Sequence, residues 1–143
     1  AMRRLADLNL EAGAEAEAAS EQGDAGVVYY REAVRLYTAL LADPEAVDRD
    51  QVLYQLSRAQ DGAGEGAAAL ASLDRLAADH PVGPNADEAQ FRRGETYFVR
   101  QDYAAAEAAY AAVLASGEGS PFYEQSLYKH GWALFKQGRH EDG

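Results

Sequence analysis

Cysteine is absent from this chain of 143 residues, tryptophan occurs once, and β-branched residues are scarce. The absence of cysteine excludes disulfide bonds and thiolate-ligated metal sites. No apolar run approaches the roughly 20 residues that a membrane-spanning helix needs, so direct insertion into a membrane is not expected. The scarcity of β-branched residues argues against a sheet-rich fold, because these residues favour strands.

Positive charge is also in short supply. Lysine and arginine number 13 against 24 aspartates and glutamates, which gives a formal net charge of -11 and a pI near 4.6. Such a surface repels nucleic-acid phosphates and anionic lipid headgroups, so no nucleic acid is expected among the partners. The plainest interpretation of the acidity is solubility.

Patterns that carry chemistry are equally sparse. The three histidines, His80, His130 and His140, stand at no metal-ligand spacing, and no HExxH motif occurs. The glycine-rich stretch 61–66 lacks a preceding strand and a following lysine, so it is interpreted as a turn rather than a phosphate-binding loop. No serine lies in a nucleophile-elbow sequence. We therefore expect no catalytic residue, no cofactor and no metal site.

Alanine is what the chain has in abundance, within a hydrophobic fraction of 48%. Alanine has the highest intrinsic helix propensity, so the composition predicts an all-α fold. A length of 143 residues suits a single domain with one continuous core.

An internal repeat of 37 residues runs through the later part of the chain. The blocks that begin at Tyr54, Phe91 and Tyr128 each place an aromatic residue three positions before a small one. The same offset relates the residues at the predicted turns, which are Gly64, Gln101 and Gly138. Chance rarely keeps so many positions in phase, so the pattern predicts a repeat architecture.

One unit of the repeat has the pattern helix, turn, helix. Residues 87–100 and 103–114 carry apolar residues at the short intervals typical of amphipathic helices. Gln101 and Asp102 separate the two helices. The small residue Gly94 predicts a point at which the helices approach each other closely.

The residue order of each unit resembles the tetratricopeptide repeat, in which a small residue at the helix contact precedes a tyrosine, an alanine and an aromatic residue. In one unit these positions hold Gly94, Tyr97, Tyr103, Ala106 and Tyr110. The early tryptophan of the family is missing, and each unit exceeds the usual length of about 34 residues. The resemblance implies a right-handed α-solenoid of antiparallel helix pairs with about 3.5 repeats. The long connections also resemble those of repeat proteins of the bacterial cell envelope.

On this register, residues 1–143 are predicted to form a single solenoid domain with repeats at 3–44, 50–83, 87–120 and 124–143. The last repeat is expected to be truncated, so the chain is expected to be a fragment of a longer protein. Its final helix, at about 122–137, should then expose an apolar stripe. Self-association through that end of the chain follows as a hypothesis.

The resemblance implies that the first helix of each pair lines a concave groove, which holds a peptide or a partner helix. The candidate partner-binding residues on these helices are Tyr54, Arg58, Phe91, Arg92, Glu95, Phe98, Tyr128, Trp132, Phe135 and Lys136. The recurring residues Tyr54, Phe91 and Tyr128 have an alternative interpretation as core residues, because packing positions also recur in every repeat. Trp132 is interpreted either as a partner anchor or as a residue that packs on a missing helix. For the charged candidates, the alternative interpretation is that they lie on a solvent-exposed helix face and bind no partner.

The sequence thus predicts a non-catalytic scaffold or adaptor that binds a protein or a peptide. One alternative is a structural oligomerisation segment, and another is the regulatory domain of an enzyme encoded outside these residues. The alanine-rich composition without cysteine and the long connections favour a bacterial periplasm or cell envelope, with the cytoplasm as the alternative location.

Overall fold

The computed structural model describes residues 1–19, 26–83 and 85–138, which form seven α-helices and no strand. The helices are α1 (Met2–Ala19), α2 (Val27–Leu41), α3 (Arg49–Gly62), α4 (Gly66–Asp79), α5 (Ala86–Val99), α6 (Tyr103–Ala115) and α7 (Tyr123–Lys136). The predicted all-α class with a repeated helix-turn-helix unit is confirmed. The sequence also predicts a turn at 23–26, and most of these residues fall outside the described ranges.

The chain divides into two compact units, residues 1–76 and residues 77–143. The first unit contains α1, α2, α3 and most of α4, and the second contains α5, α6 and α7. The single continuous domain expected from the sequence stays a prediction.

In the first unit, the ring of Tyr30 on α2 fits between two glycines. A Cβ atom at Gly13 of α1 would lie 2.9 Å from the Cδ1 atom of Tyr30, and one at Gly62 of α3 would lie 2.6 Å from Cδ2. Any larger residue at either position would displace the ring, because real Cβ contacts are not this short. The glycines therefore let α1 and α3 close on the same aromatic side chain.

The second unit packs α6 against both α5 and α7. Its core is built from Phe91 of α5, Ala133 of α7 and three α6 residues, Ala106, Tyr110 and Val113. Ala106 and Ala133 occupy little space in this core, and the rings of Phe91 and Tyr110 pack in it with centroids 6.2 Å apart. Because this core holds one face of α7 against α6, the opposite face of α7 points away from α6.

The turns inside the repeats share one backbone conformation. Gly64, Gln101 and Gly138, which the 37-residue offset relates, have φ angles of 80°, 65° and 73°. The left-handed region is open to glycine and costs other residues roughly 1 kcal/mol or more. Gln101 therefore has a strained backbone conformation, whereas the equivalent residues of the other repeats, Gly64 and Gly138, adopt it without strain.

Gln101→Gly is expected to raise the free energy of unfolding by about 0.5–1 kcal/mol, because it relieves this strain while making the unfolded chain more flexible. Urea denaturation of both proteins measures the difference. Gly64→Gln is the matched reverse substitution and should destabilise the protein. An unchanged or lower stability for Gln101→Gly would contradict the assignment of strain.

Candidate partner-binding surface

Three aromatic residues of α7 form an exposed row on one face of the helix, here called the aromatic row. Tyr128, Trp132 and Phe135 are 66%, 41% and 55% exposed. Their spacing of four and three residues places them above one another on a helix of about 3.6 residues per turn. The rings contact each other edge to face, with centroids 6.3 Å apart for Tyr128 and Trp132 and 5.6 Å for Trp132 and Phe135.

The opposite face of α7 explains why this row points outward. Ser126, Ala133 and Leu134 are buried, and α7 packs with this face on α6. The aromatic row lies roughly half a turn away from them around the helix. Packing of this buried face against α6 therefore holds the three rings on the outer side of the second unit.

Lysine occurs only twice in the chain, at positions 129 and 136, and both residues lie on α7 beside the aromatic row. The Lys129 ammonium lies 4.9 Å from the centroid of the Phe98 ring and 3.7 Å from Glu95 Oε1. These contacts tie α7 to α5 through a cation–π contact and an ion pair. Lys136 is exposed.

Glu95 also accepts a hydrogen bond from the buried phenol of Tyr110, with the oxygens 2.5 Å apart. Burial, followed by this hydrogen bond, raises the pKa of Tyr110 above its ordinary value. The first unit repeats the arrangement, since the buried phenol of Tyr37 on α2 donates to Asp7 on α1. Burial again comes first among the causes that raise the pKa of Tyr37, ahead of the bond to Asp7.

The raised tyrosine pKa values predict a loss of stability in alkali. In the unfolded chain these phenols ionise near pH 10, whereas the folded protein keeps them protonated, so their contribution is complete below about pH 10 and is lost above it. The expected slope is about 1.4 kcal/mol per pH unit for each tyrosine once the unfolded phenols are ionised. Urea denaturation between about pH 8 and about pH 11 measures the slope.

The double variant Tyr37→Phe, Tyr110→Phe is the control for this pH dependence. It removes both buried phenols and keeps both rings, so its stability should fall less steeply above about pH 10. An equally steep fall in the variant would contradict the assignment of the alkaline loss to these two residues.

The structure divides the predicted partner-binding residues into several groups. Phe91 is only 6% exposed and stacks on Phe122 with centroids 5.2 Å apart, so core packing, one of the two interpretations of this residue, describes it. Phe98 is partly buried and contacts the ring of Tyr103 edge to face at 5.2 Å. Glu95 is engaged with Tyr110 and Lys129, so its observed contacts stabilise the second unit.

The remaining predicted residues lie nearer the solvent. Arg92 is paired with Glu88 at 3.5 Å. Tyr54 is half-buried and Arg58 is exposed on α3, in the first unit, where Arg58 donates to Gln55 Oε1 at 3.1 Å. The aromatic row and Lys136, all on α7, are thus the largest group of predicted residues that lies exposed on one helix.

Lys129 was missed by the sequence reasoning, although a signal for it exists. The 37-residue offset relates it to Arg92, so both repeats carry a basic residue at this position. The tyrosine–carboxylate bonds were missed as well. Tyr37 and Tyr110 each bond to a carboxylate of the preceding helix, but their acceptors lie 30 and 15 residues earlier in the chain.

Within the described ranges, no group of three or more histidine, aspartate or glutamate residues is arranged to hold a metal ion. Among the helices of the same ranges, none is both long and apolar enough to cross a membrane.

Comparison with known protein families gives a family assignment. The model of the tetratricopeptide repeat matches residues 54–121 and 102–143, which together make up well over half of the chain. The chain therefore belongs to the tetratricopeptide repeat family, and the resemblance of its units to this repeat is confirmed. Repeats of this family generally mediate protein–protein interactions, typically bind proteins or peptides, and are generally non-catalytic. No curated protein matches the chain.

Proposed function

We propose that this protein is a non-catalytic interaction module that binds a partner protein on the aromatic row of α7. The observation that carries the proposal is the exposure of Tyr128, Trp132 and Phe135 on one helix face. Tyrosine, tryptophan and phenylalanine are enriched at the centres of protein interfaces and depleted elsewhere on surfaces. A partner helix or peptide that covers the row would bury all three rings at once.

The energetics favour occupation of this face. Burying a large apolar side chain that is otherwise exposed stabilises a complex by roughly 1.5–3 kcal/mol. Contiguous exposed apolar patches generally mark interaction sites. The row is also rigid before binding, because the three rings already contact one another and α7 is held by its buried face. Little side-chain entropy is then lost when the partner binds.

The charges beside the row indicate the chemistry of the partner. Both lysines lie on one flank of the row, whereas the chain as a whole has a net charge of -11. An apolar segment with acidic residues along one side would match the rings and the lysines together. Such matching contributes mainly to specificity and to the rate of association.

Trp132→Ala is expected to weaken partner binding about tenfold or more, because central aromatic residues carry much of the energy of an interface. A peptide library displayed on phage and selected on the wild-type protein supplies the ligand, and calorimetry measures its affinity. Circular dichroism should show unchanged helix content, since the side chain is 41% exposed.

Val99→Ala is the matched control for this experiment. Val99 is an exposed apolar residue at the end of α5, outside the aromatic row, so its truncation should leave the affinity unchanged. If the selected ligands bind the Trp132→Ala protein as tightly as the wild type, the row is not the binding surface.

A further inference from the structure

A second exposed apolar face lies on α1, in the first compact unit. Leu5 and Leu8 are 48% and 49% exposed, and the partly exposed Ala12 extends them along the helix. These three residues, here called the α1 stripe, share one side of the helix because they are spaced by three and four. The buried residues of α1 include Ala6 and Leu10, on a different side.

Beyond the first turn of α1, the residues flanking the α1 stripe carry charges opposite to those beside the aromatic row. Glu11 and Glu15 are exposed and lie roughly a quarter turn from the stripe, at about 100° per residue. Lys129 and Lys136 lie roughly a quarter turn from the aromatic row. The flank of α7 is therefore basic, whereas the flank of α1 is acidic at Glu11 and Glu15 and basic at Arg4 in its first turn.

The handedness of these flanks selects one packing direction. When each helix is viewed from its N-terminus, the lysines of α7 lie clockwise of the aromatic row, whereas the glutamates of α1 lie counterclockwise of the α1 stripe. When two parallel helices face each other, the clockwise side of one meets the counterclockwise side of the other. Parallel packing thus brings the lysines to the glutamates, and antiparallel packing separates them.

We propose that the aromatic row of α7 binds the α1 stripe of a second copy of this chain, with the two helices parallel. This inference names the partner of the surface assigned under the proposed function and rests on that assignment. The two faces are different surfaces of the chain, so the contact is heterologous, and repetition adds copies head to tail. The exposed leucines of the stripe, together with Glu11 and Glu15 beside it, select α1 as the occupant.

Sedimentation velocity from about 1 μM to about 1 mM tests the self-association. The average mass of the wild-type protein should rise with concentration through species larger than a dimer. Trp132→Ala should weaken association about tenfold or more and Leu8→Ala about fivefold, since each removes part of one apolar face. Val99→Ala, outside both faces, should behave as the wild type. A constant monomer mass for the wild-type protein over the whole range would overturn the proposal.

A charge exchange tests whether α1 is the occupant. Lys136→Glu and Glu15→Lys should each weaken association about two- to fivefold, as expected for exposed ion pairs. Combining both changes in one chain should restore part of the loss. Equal association of all four proteins, in a chain that does self-associate, would show that another surface covers the aromatic row and would overturn the proposal.

Disulfide trapping tests the direction, and the absence of native cysteine makes it simple. Glu124→Cys lies at the start of α7 on the edge of the row, and parallel packing places it near Met2 of the second copy. A tagged Glu124→Cys protein should cross-link to Met2→Cys and much less to Ala16→Cys, which lies on the same flank of α1 about 21 Å further along. Preferential cross-linking to Ala16→Cys would overturn the parallel arrangement.

The outcomes also separate this inference from the proposed function. If the wild-type protein is monomeric but library peptides bind it and Trp132→Ala weakens that binding, then the partner is not a second copy of the chain. The aromatic row would still be the binding surface. If neither the peptides nor self-association depends on Trp132, the surface itself is wrong.

Discussion

Phe91→Ala is expected to lower the free energy of unfolding of the second unit by about 3–4 kcal/mol. The side chain is 6% exposed and lies between Phe122, at a centroid distance of 5.2 Å, and Tyr110, at 6.2 Å. Its removal takes away buried apolar surface and leaves a cavity that the neighbouring rings fill only in part. Urea denaturation followed by the fluorescence of Trp132, the chain's single tryptophan, reports on this unit.

Tyr128→Ala provides the matched control, because Tyr128 holds the same register position as Phe91 and is 66% exposed. Its truncation should change the stability by no more than about 0.5 kcal/mol, as is usual at exposed positions. A similar loss for both substitutions would mean that the position is a packing site in each repeat, which would also count against the aromatic row as a binding surface.

Phe91 and Tyr128 show that the 37-residue repeat predicts which helix a residue lies on but not whether its side chain is buried. The 37-residue offset relates Phe91 to Tyr128, and it places both on corresponding helices, α5 and α7. Burial depends on the helices that surround a position. Phe91 is enclosed by α6 and by Phe122, whereas Tyr128 lies on the side of α7 that faces away from α6. Equivalent sequence positions therefore have different environments.

The helices themselves were predictable. The pattern at 103–114 corresponds to α6 (Tyr103–Ala115), and the expected final helix at about 122–137 corresponds to α7 (Tyr123–Lys136). Periodicity determines such elements because it reflects the burial of one helix face. The turn at Gln101 was also predicted, although a glutamine gives no local sign of a left-handed conformation.

The candidate site was predictable only in part. Trp132 and Phe135 could be placed on one face from their spacing, since helical geometry alone determines it. The link between Lys129 and Glu95 joins two helices, and such pairing depends on how the helices are rotated against each other. Sequence periodicity predicts which face of a helix is buried, but it does not predict how two helices are rotated against each other. The bond between Tyr110 and Glu95 was missed for the same reason.

Gly94→Ala is expected to destabilise the second unit by about 2–3 kcal/mol. A Cβ atom at this position would lie 2.6 Å from Cε1 of Tyr110 and 2.8 Å from Cδ1, so the ring has to move. Overpacking of this kind costs about 1–3 kcal/mol. The movement would also break the hydrogen bond from Tyr110 to Glu95, at a cost of about 1 kcal/mol. Helix propensity offsets part of the loss, because alanine is favoured over glycine by roughly 0.5–1 kcal/mol.

Gly131→Ala separates these contributions. The 37-residue offset relates Gly131 to Gly94, but apart from its chain neighbours and the backbone of its own helix, no atom lies within 4 Å of a Cβ atom built there. The substitution should therefore show the propensity gain alone, a stabilisation of about 0.5–1 kcal/mol. Opposite signs for the two variants in urea denaturation would establish that the close approach of Tyr110, and not the helical position, requires glycine at 94. Stabilisation by both alanines would mean that the ring of Tyr110 yields without cost.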